Sequence, residues 1–157
     1  LAALKGFFGA VSDEAVTYVN APQLAKEKGV EVRETNSATA VDFVNLVTLR
    51  GEGHSLSGAI VGRRGEQRIV MIDDHTFDVP PAEDMLMVKN DDRPGVIGTV
   101  GTLLGNAGVN IADMDVGRAA TPGTAVMLIA ATEPVGDDVV AALRTAPGII
   151  SVDALNG

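Results

Sequence analysis

Asp92-Arg93-Pro94-Gly95-Val96-Ile97-Gly98, followed by Leu103-Leu104 and by Gly108-Val109-Asn110-Ile111, is the stretch whose reading decides the fold. The apolar run Met85-Leu86-Met87-Val88-Lys89 just before it reads as a strand. The spacing predicts a helix over 94–107, opened by Asp92-Arg93-Pro94 and closed by Gly108. Strands follow over 110–116 and 124–132, then a helix over 137–145 and a last strand over 148–152.

Strand, helix, strand, strand, helix, strand over about 75 residues is the split βαβ, ferredoxin-like arrangement. Its two helices should cover one face of a four-stranded sheet. The other face, or a sheet edge, must then be covered or paired, and an open edge in a small domain predicts dimerisation.

The part of the chain before this pattern has another texture. Leu1, Leu4, Phe7 and Phe8 recur at helical spacing. Asn20-Ala21-Pro22 reads as a helix start with Asn as cap, and Gly29 as its stop. After Gly29 the period changes to two. Val30 and Val32, then Val41, Phe43, Asn45, Val47 and Leu49, alternate with more polar neighbours. Leu56, Ala59, Ile60 and Val61 form another run, then Arg68-Ile69-Val70-Met71-Ile72 and Phe77-Asp78-Val79. Gly51-Glu52-Gly53 and Gly62-Arg63-Arg64-Gly65 are the turns between them. This is an antiparallel meander with a helical layer, so the whole chain is of the α+β class. Pro80-Pro81 reads as an extended linker. The expected domains are therefore 1–82, possessing a start that the sequence leaves open to truncation, and 83–157.

Composition narrows the function. Of 157 residues, 46% are hydrophobic and 21% charged, a globular balance. The net charge of −9 argues against a nucleic-acid or anionic-membrane binder. The absence of cysteine excludes disulfides, thiolate metal sites, iron–sulfur clusters and cysteine nucleophiles. No apolar run approaches the ~18 residues of a membrane span, and no signal peptide is visible. Beginning at Leu1 inside an expected helix, the chain reads as a piece of a longer, cytoplasmic protein. Residues 1–82 carry less negative charge than 83–157, so any anion should bind the first part.

The loop at 92–98 offers a specific chemistry. A strand-to-helix loop presents unsatisfied first-turn amides and the positive helix end, which receive a carboxylate. Gly95 and Gly98 allow close approach. Asp92 offers acceptors for an ammonium, and Asn110 offers both a donor and an acceptor. Together these fit a small α-amino acid. A structural reading stands beside it, in which Asp92 caps the helix and Asn110 makes a turn after Gly108.

Asp92-Arg93-Pro94-Gly95, with Gly-Val-Asn-Ile at 108–111 and this element order, resembles the ACT domain family, amino-acid-binding modules whose ligand lies between paired copies. The fuller wording from Asp92 to Ile111 resembles the regulatory end of the long-form D-3-phosphoglycerate dehydrogenase family. Leu4-Lys5-Gly6-Phe7-Phe8, Ala15-Val16-Thr17-Tyr18-Val19-Asn20-Ala21-Pro22, Ile69-Val70-Met71-Ile72-Asp73 and Phe77-Asp78-Val79 resemble its intervening, allosteric substrate-binding domain. The resemblance implies an L-serine site at Asn90, Asp92, Gly95, Val96, Ile97, Asn110 and Ile111. Asn90 stands where some relatives carry an aromatic residue. It also implies an anion site at Arg68 and His75, with Arg63 and Arg64 as further candidates and a third basic position replaced near Ile129. A homo-oligomer is implied, a dimer through ACT domains and a tetramer in the full-length protein, together with upstream catalytic domains that use NAD.

The dehydrogenase chemistry itself is not in these residues. No strand is followed by Gly-x-Gly-x-x-Gly opening a helix. No Ser-His-Asp or His-x-x-x-His arrangement occurs, and His54 lies in a glycine turn. The chain is expected to hold no catalytic residues, no metal and no cofactor of its own. The expected function is therefore feedback regulation of an NAD-dependent parent oxidoreductase in L-serine biosynthesis. Two alternatives remain at this level: the regulatory part of an L-serine dehydratase β subunit, and a purely structural dimerisation module.

Overall fold

The computed structural model describes residues 1–33, 45–118 and 123–156. Packing divides the chain into two compact units, Leu1–Asp42 and Phe43–Gly157. In the first, helices α1 (Ala2–Val11) and α2 (Ala21–Glu27) pack through Phe8, Leu24 and Ala25, with Leu4 and Val16 at the margin. Gly29 ends α2 as expected. It takes a φ of +72°. Its amide bonds Lys26 O, and the amide of Val30 bonds Ala25 O, the paired closure that a left-handed residue makes possible.

Two expectations fail here. Asn20 stands at the start of α2 but does not cap it. Its Oδ1 instead accepts from the Thr17 amide at 2.7 Å, and its Nδ2 donates to Ala15 O at 3.0 Å. Asn20 therefore fastens the preceding turn. The residues around Val30 and Val32 are not a strand, because 30–33 enter no ladder. Val41 and Phe43 of the same expected run lie outside the described residues.

The second unit holds two four-stranded sheets. The first is a meander of β1 (Leu46–Gly51), β2 (His54–Val61), β3 (Glu66–Ile72) and β4 (His75–Val79), in that order and antiparallel throughout. The turn between β1 and β2 is a two-residue hairpin with positive φ at both Glu52 and Gly53, which suits the strand twist.

The second sheet belongs to a βαββαβ unit: β5 (Asp84–Asp91), α3 (Val96–Asn106), β6 (Ile111–Arg118), β7 (Thr124–Ala131), α4 (Asp137–Thr145) and β8 (Ile149–Asn156). Its strand order is β6-β7-β5-β8, all antiparallel, the expected ferredoxin-like topology. On one face, Val96, Val100 and Leu104 of α3 and Val140 and Leu143 of α4 pack on Leu86, Val88, Met127, Ile129 and Val152.

The opposite face is closed by the first sheet. Phe77 and Val79 of β4, with Ile69 and Ile72 of β3, pack on Met85, Val126, Leu128 and Ala130. The run 125–131 is therefore buried on both faces and reads as continuously apolar. The fit is tightest at Gly117 of β6, where a methyl group would fall 2.7 Å from Phe77 Cε1 and 2.9 Å from Thr76 O. The Asp78 amide donates to Asp115 Oδ2 at 2.8 Å across the same seam. Pro80-Pro81 thus connects two strands that share a core. The face expected to need covering is covered within the chain.

Candidate functional site

The loop from β5 to α3 follows from three backbone restraints. The Asp91 amide donates to Gly148 O at 2.8 Å, the Asp92 amide to Gly123 O at 3.3 Å, and the Arg93 amide to Asp91 O at 2.8 Å. Pro94 then disfavours helix at Arg93. Gly95 turns the chain with a φ of +94°, and the helix begins at Val96 rather than at 94. Gly95, not Asp92, occupies the capping position, and no side chain caps this end. The first-turn amides of α3 therefore lie beside an exposed glycine, where a carboxylate would find donors.

Around this end, Asp92 and Ile97 are exposed while Val96 is buried in the core. Arg93 pairs with Asp91 at 2.5 Å. Asn90 is buried, only 3% exposed. Its Nδ2 donates to Asp91 O at 2.7 Å, while its Oδ1 makes no hydrogen bond. A buried acceptor left unpaired costs about 1–3 kcal/mol. Gly148 was not singled out from the sequence, yet it borders this loop: a methyl group there would fall 2.8 Å from Val96 Cγ2. Only its place after a helix, before a strand, could have hinted at it. An open groove of about 710 Å³ runs from Gly95, Gly98 and Thr99 toward Thr145 and Pro147.

Asn110 does not join this cluster within the chain. It lies past the far end of α3, where its amide donates to Glu133 Oε1 at 3.0 Å and its carbonyl accepts from Thr132. Asp91 pairs with Thr124 at one end of β7, whereas Ile111 pairs with Ala131 at the other. Eleven residues of helix separate the two ends, about 16 Å of rise. Ile111 is half-buried against the core.

The anion candidates are also dispersed. Arg68 is neutralised by Glu66 at 3.2 Å and Asp78 at 3.3 Å. Arg63 and Arg64 sit exposed in the turn at the same end of the sheet. His75 lies at the other end of the β3–β4 ladder, opposite Ile72. Its Nδ1 meets Asp74 at 2.9 Å, its ring stacks on Phe77, and its Nε2 is buried without a partner. Ile129 is fully buried core. Among the described residues no group of three or more His, Asp or Glu side chains is placed to hold a metal ion. No helix among them is long and apolar enough to cross a membrane.

One carboxylate is electrostatically distinct. Asp73 accepts the Ser55 amide at 2.8 Å and faces His54 Nδ1 at 3.2 Å. The Ser55 amide, with His54 and His75 adding smaller effects against a burial penalty, holds its carboxyl below the ordinary aspartate value. A carboxyl depressed on folding contributes stability that is complete above its unfolded pKa and is lost as pH falls through the folded one. Asp73→Asn should therefore lower the urea midpoint near neutrality and flatten its dependence below about pH 4, where wild type steepens.

Comparison with known proteins agrees with this architecture. Residues 1–73 match the model of the D-3-phosphoglycerate dehydrogenase intervening domain, and residues 85–148 match the ACT domain. D-3-phosphoglycerate dehydrogenase of Synechocystis is 39% identical over 95% of this chain and 27% of its own length. The Mycobacterium tuberculosis H37Rv enzyme of that name is 37% identical over 93% and 29%, and that of Bacillus subtilis 32% over 99% and 30%. The chain thus spans under a third of the length of these relatives. Among solved structures, the ACT domain from GTP pyrophosphokinase of Chlorobium tepidum matches 46% of this chain and 95% of that one, at 16% identity and a TM-score of 0.34. The two family matches are separated by residues 74–84, whereas the packing boundary falls at Asp42. By these matches residues 1–73 belong to the D-3-phosphoglycerate dehydrogenase intervening-domain family and residues 85–148 to the ACT-domain family.

Proposed function

We propose that this chain is the regulatory part of a D-3-phosphoglycerate dehydrogenase, and that its βαββαβ domain binds L-serine at a site completed by a second copy. The domains assigned to these roles are 1–82 and 83–157. The observation that carries the reading is the placement of Asp92 and Gly95 at one end of α3 and Asn110 beyond the other. A molecule the size of serine cannot span one helix. Two copies of α3 packed antiparallel about a two-fold axis put the Gly95 end of one beside Asn110 of the other.

The helix surface supports that pairing. Gly98, Gly101 and Gly105 lie on α3, and a methyl group at any of them would meet nothing within 4 Å. Each glycine costs a helix about 0.8–1.0 kcal/mol relative to alanine. Nothing among the described residues requires them, whereas close approach of another backbone would. Gly101 is the midpoint of Val96–Asn106, where a two-fold axis would pass.

In the assembled site the α3 amides take the serine carboxylate, Asp92 takes the ammonium, and Asn110 of the other copy takes the hydroxyl. The orphan Oδ1 of Asn90 supplies an acceptor beneath. Serine shifts activity only by its differential affinity for the inhibited and active arrangements, with a coupling of about 1–3 kcal/mol typical. The reaction regulated is NAD-dependent oxidation of D-3-phosphoglycerate, performed by domains outside these residues.

Calorimetric titration of the chain with L-serine, against glycine and D-serine, tests the reading. Saturable binding that prefers L-serine is expected, because glycine leaves the Asn110 amide unpaired. Equal heats for all three, or none at millimolar ligand, would leave the domain a structural dimerisation module.

A further inference from the structure

We propose that Glu133 is the side-chain filter of the amino-acid site: its carboxylate, fixed beside Asn110, rejects ligands whose side chain is anionic and admits neutral ones. This rests on the shared-site reading above and names the class of ligand that such a site takes.

Glu133 follows β7 at the end where Asn110 leads into β6. The Thr132 amide donates to Asn110 O at 3.1 Å and extends the β6–β7 ladder by one bond. Glu133 completes the closure. Its Oε1 accepts the Asn110 amide at 3.0 Å and the Thr132 hydroxyl at 3.4 Å. The carboxylate is therefore held in place although the residue is exposed. A ligand side chain that reaches the Asn110 carboxamide comes within the Debye length of this charge, about 8 Å at physiological ionic strength.

Holding Asn110 requires only an acceptor. A neutral side-chain amide would accept the same two bonds through its oxygen. The negative charge is surplus to that task, and Glu133 joins no ion pair among the described residues.

The surroundings reinforce the charge rather than cancel it. By strand register Asp84, opposite Ala131, and Asp113, opposite Ala130, lie at this same end of the sheet. Asp137 and Asp138 open α4 just after it. The four basic residues of 83–157 stand elsewhere. Lys89 and Arg118 are opposite Val126 and Ala125, toward the other end of β7. Arg93 is in the loop before Gly95, and Arg144 is in the last turn of α4, bonded to Val152 O.

Antiparallel copies of α3 set the Gly95 end of one beside the Asn110 end of the other. An amino acid then lies with its carboxylate toward the α3 amides and its side chain toward Glu133. A hydroxyl or amide side chain meets Asn110 there without carrying a charge. A second carboxylate, or a phosphate, meets a like charge that no cation at this end offsets among the described residues.

Competition calorimetry against L-serine, using L-asparagine and L-aspartate, tests the filter, since these side chains match in size and differ in charge. Wild type should prefer L-asparagine. Glu133→Gln keeps the acceptor for Asn110, so L-serine should bind it much as it binds wild type. Its preference for L-asparagine over L-aspartate should fall roughly tenfold at low salt, and by less as salt screens the exposed charge. Glu133→Ala removes the acceptor as well and should weaken every ligand, which separates the hold on Asn110 from the charge. An unchanged preference in Glu133→Gln, or L-aspartate that displaces L-serine from neither chain, overturns the proposal, because size and not charge then selects. Wild type that takes up no L-serine overturns the shared site itself and this filter with it, a failure seen before any variant is made.

Discussion

Phe77→Ala should destabilise the chain by about 3–5 kcal/mol, the range for emptying a buried phenylalanine site, and the loss should appear in both sheets at once. Phe77 is 6% exposed and lies in the seam between β4 and the βαββαβ sheet, with its ring against Gly117. Removing it opens a cavity bordered by Val126, Leu128 and Met85 and releases the close fit to β6. If the two sheets are one cooperative unit, urea unfolding followed by hydrogen exchange will show amides of β3 and of β7 losing protection in parallel. A variant in which β7 keeps wild-type protection while β3 loses it would show the sheets to be independent. Gly117→Ala approaches the same seam from the other side. Its methyl group cannot fit without displacing the Phe77 ring or the Thr76 carbonyl, so overpacking of about 1–3 kcal/mol is expected. Agreement between a cavity and an overpacking variant would assign the effect to the seam itself.

This seam was not legible in the sequence, and the reason is physical. The pattern of 85–152 contains its own fold, because each helix stripe and strand alternation is a local statement about one face. The run 125–131 even announces a strand buried on both sides. What covers its second face is a non-local fact. Phe77-Asp78-Val79 reads as a short strand, but nothing in its spacing says that it docks on Gly117. Pro80-Pro81 lies in the interval between the two family matches, which end at 73 and resume at 85. The same pair lies between β4 and β5, whose side chains share a core. A sequence boundary and a packing boundary are different quantities, and here they lie far apart in the chain.

The turns and stops were legible where one residue type has one physical use. Gly29, Gly53, Gly62 and Gly65 stand at positive φ. Asn20 is ambiguous in the sequence because the same Oδ1 that would cap a helix can instead fasten the preceding turn. Asn90 could not be read as buried, since an amide at the end of a strand is usually solvated. Asp92, Gly95 and Asn110 were picked out by residue type, but their separation by the length of α3 required the strand order. On the proposed reading that separation makes them two halves of a site shared between copies, the arrangement that the family resemblance implies.

The shared site predicts an intermolecular rescue. Asp92→Ala removes the acceptor for the serine ammonium, and a hydrogen bond to a charged group is worth about 1.5–3 kcal/mol, or roughly tenfold to a hundredfold in affinity. Asn110→Ala leaves the serine hydroxyl unpaired in a desolvated place, at about 1–3 kcal/mol. Each variant alone should therefore bind serine poorly. Neither should unfold, because both side chains are exposed. Mixing the two variants and allowing exchange forms hybrid dimers. In a hybrid, one site combines both substitutions and is lost. The other combines the intact Asp92 of one chain with the intact Asn110 of its partner and regains wild-type affinity. Titration of the mixture should show a tight component that neither parent has, with a stoichiometry well below one per chain. A site held within one chain gives no such component, since every chain in the mixture carries a defect. The rescue also separates binding from assembly: helix pairing without a ligand yields hybrids that form but release no additional heat on adding serine.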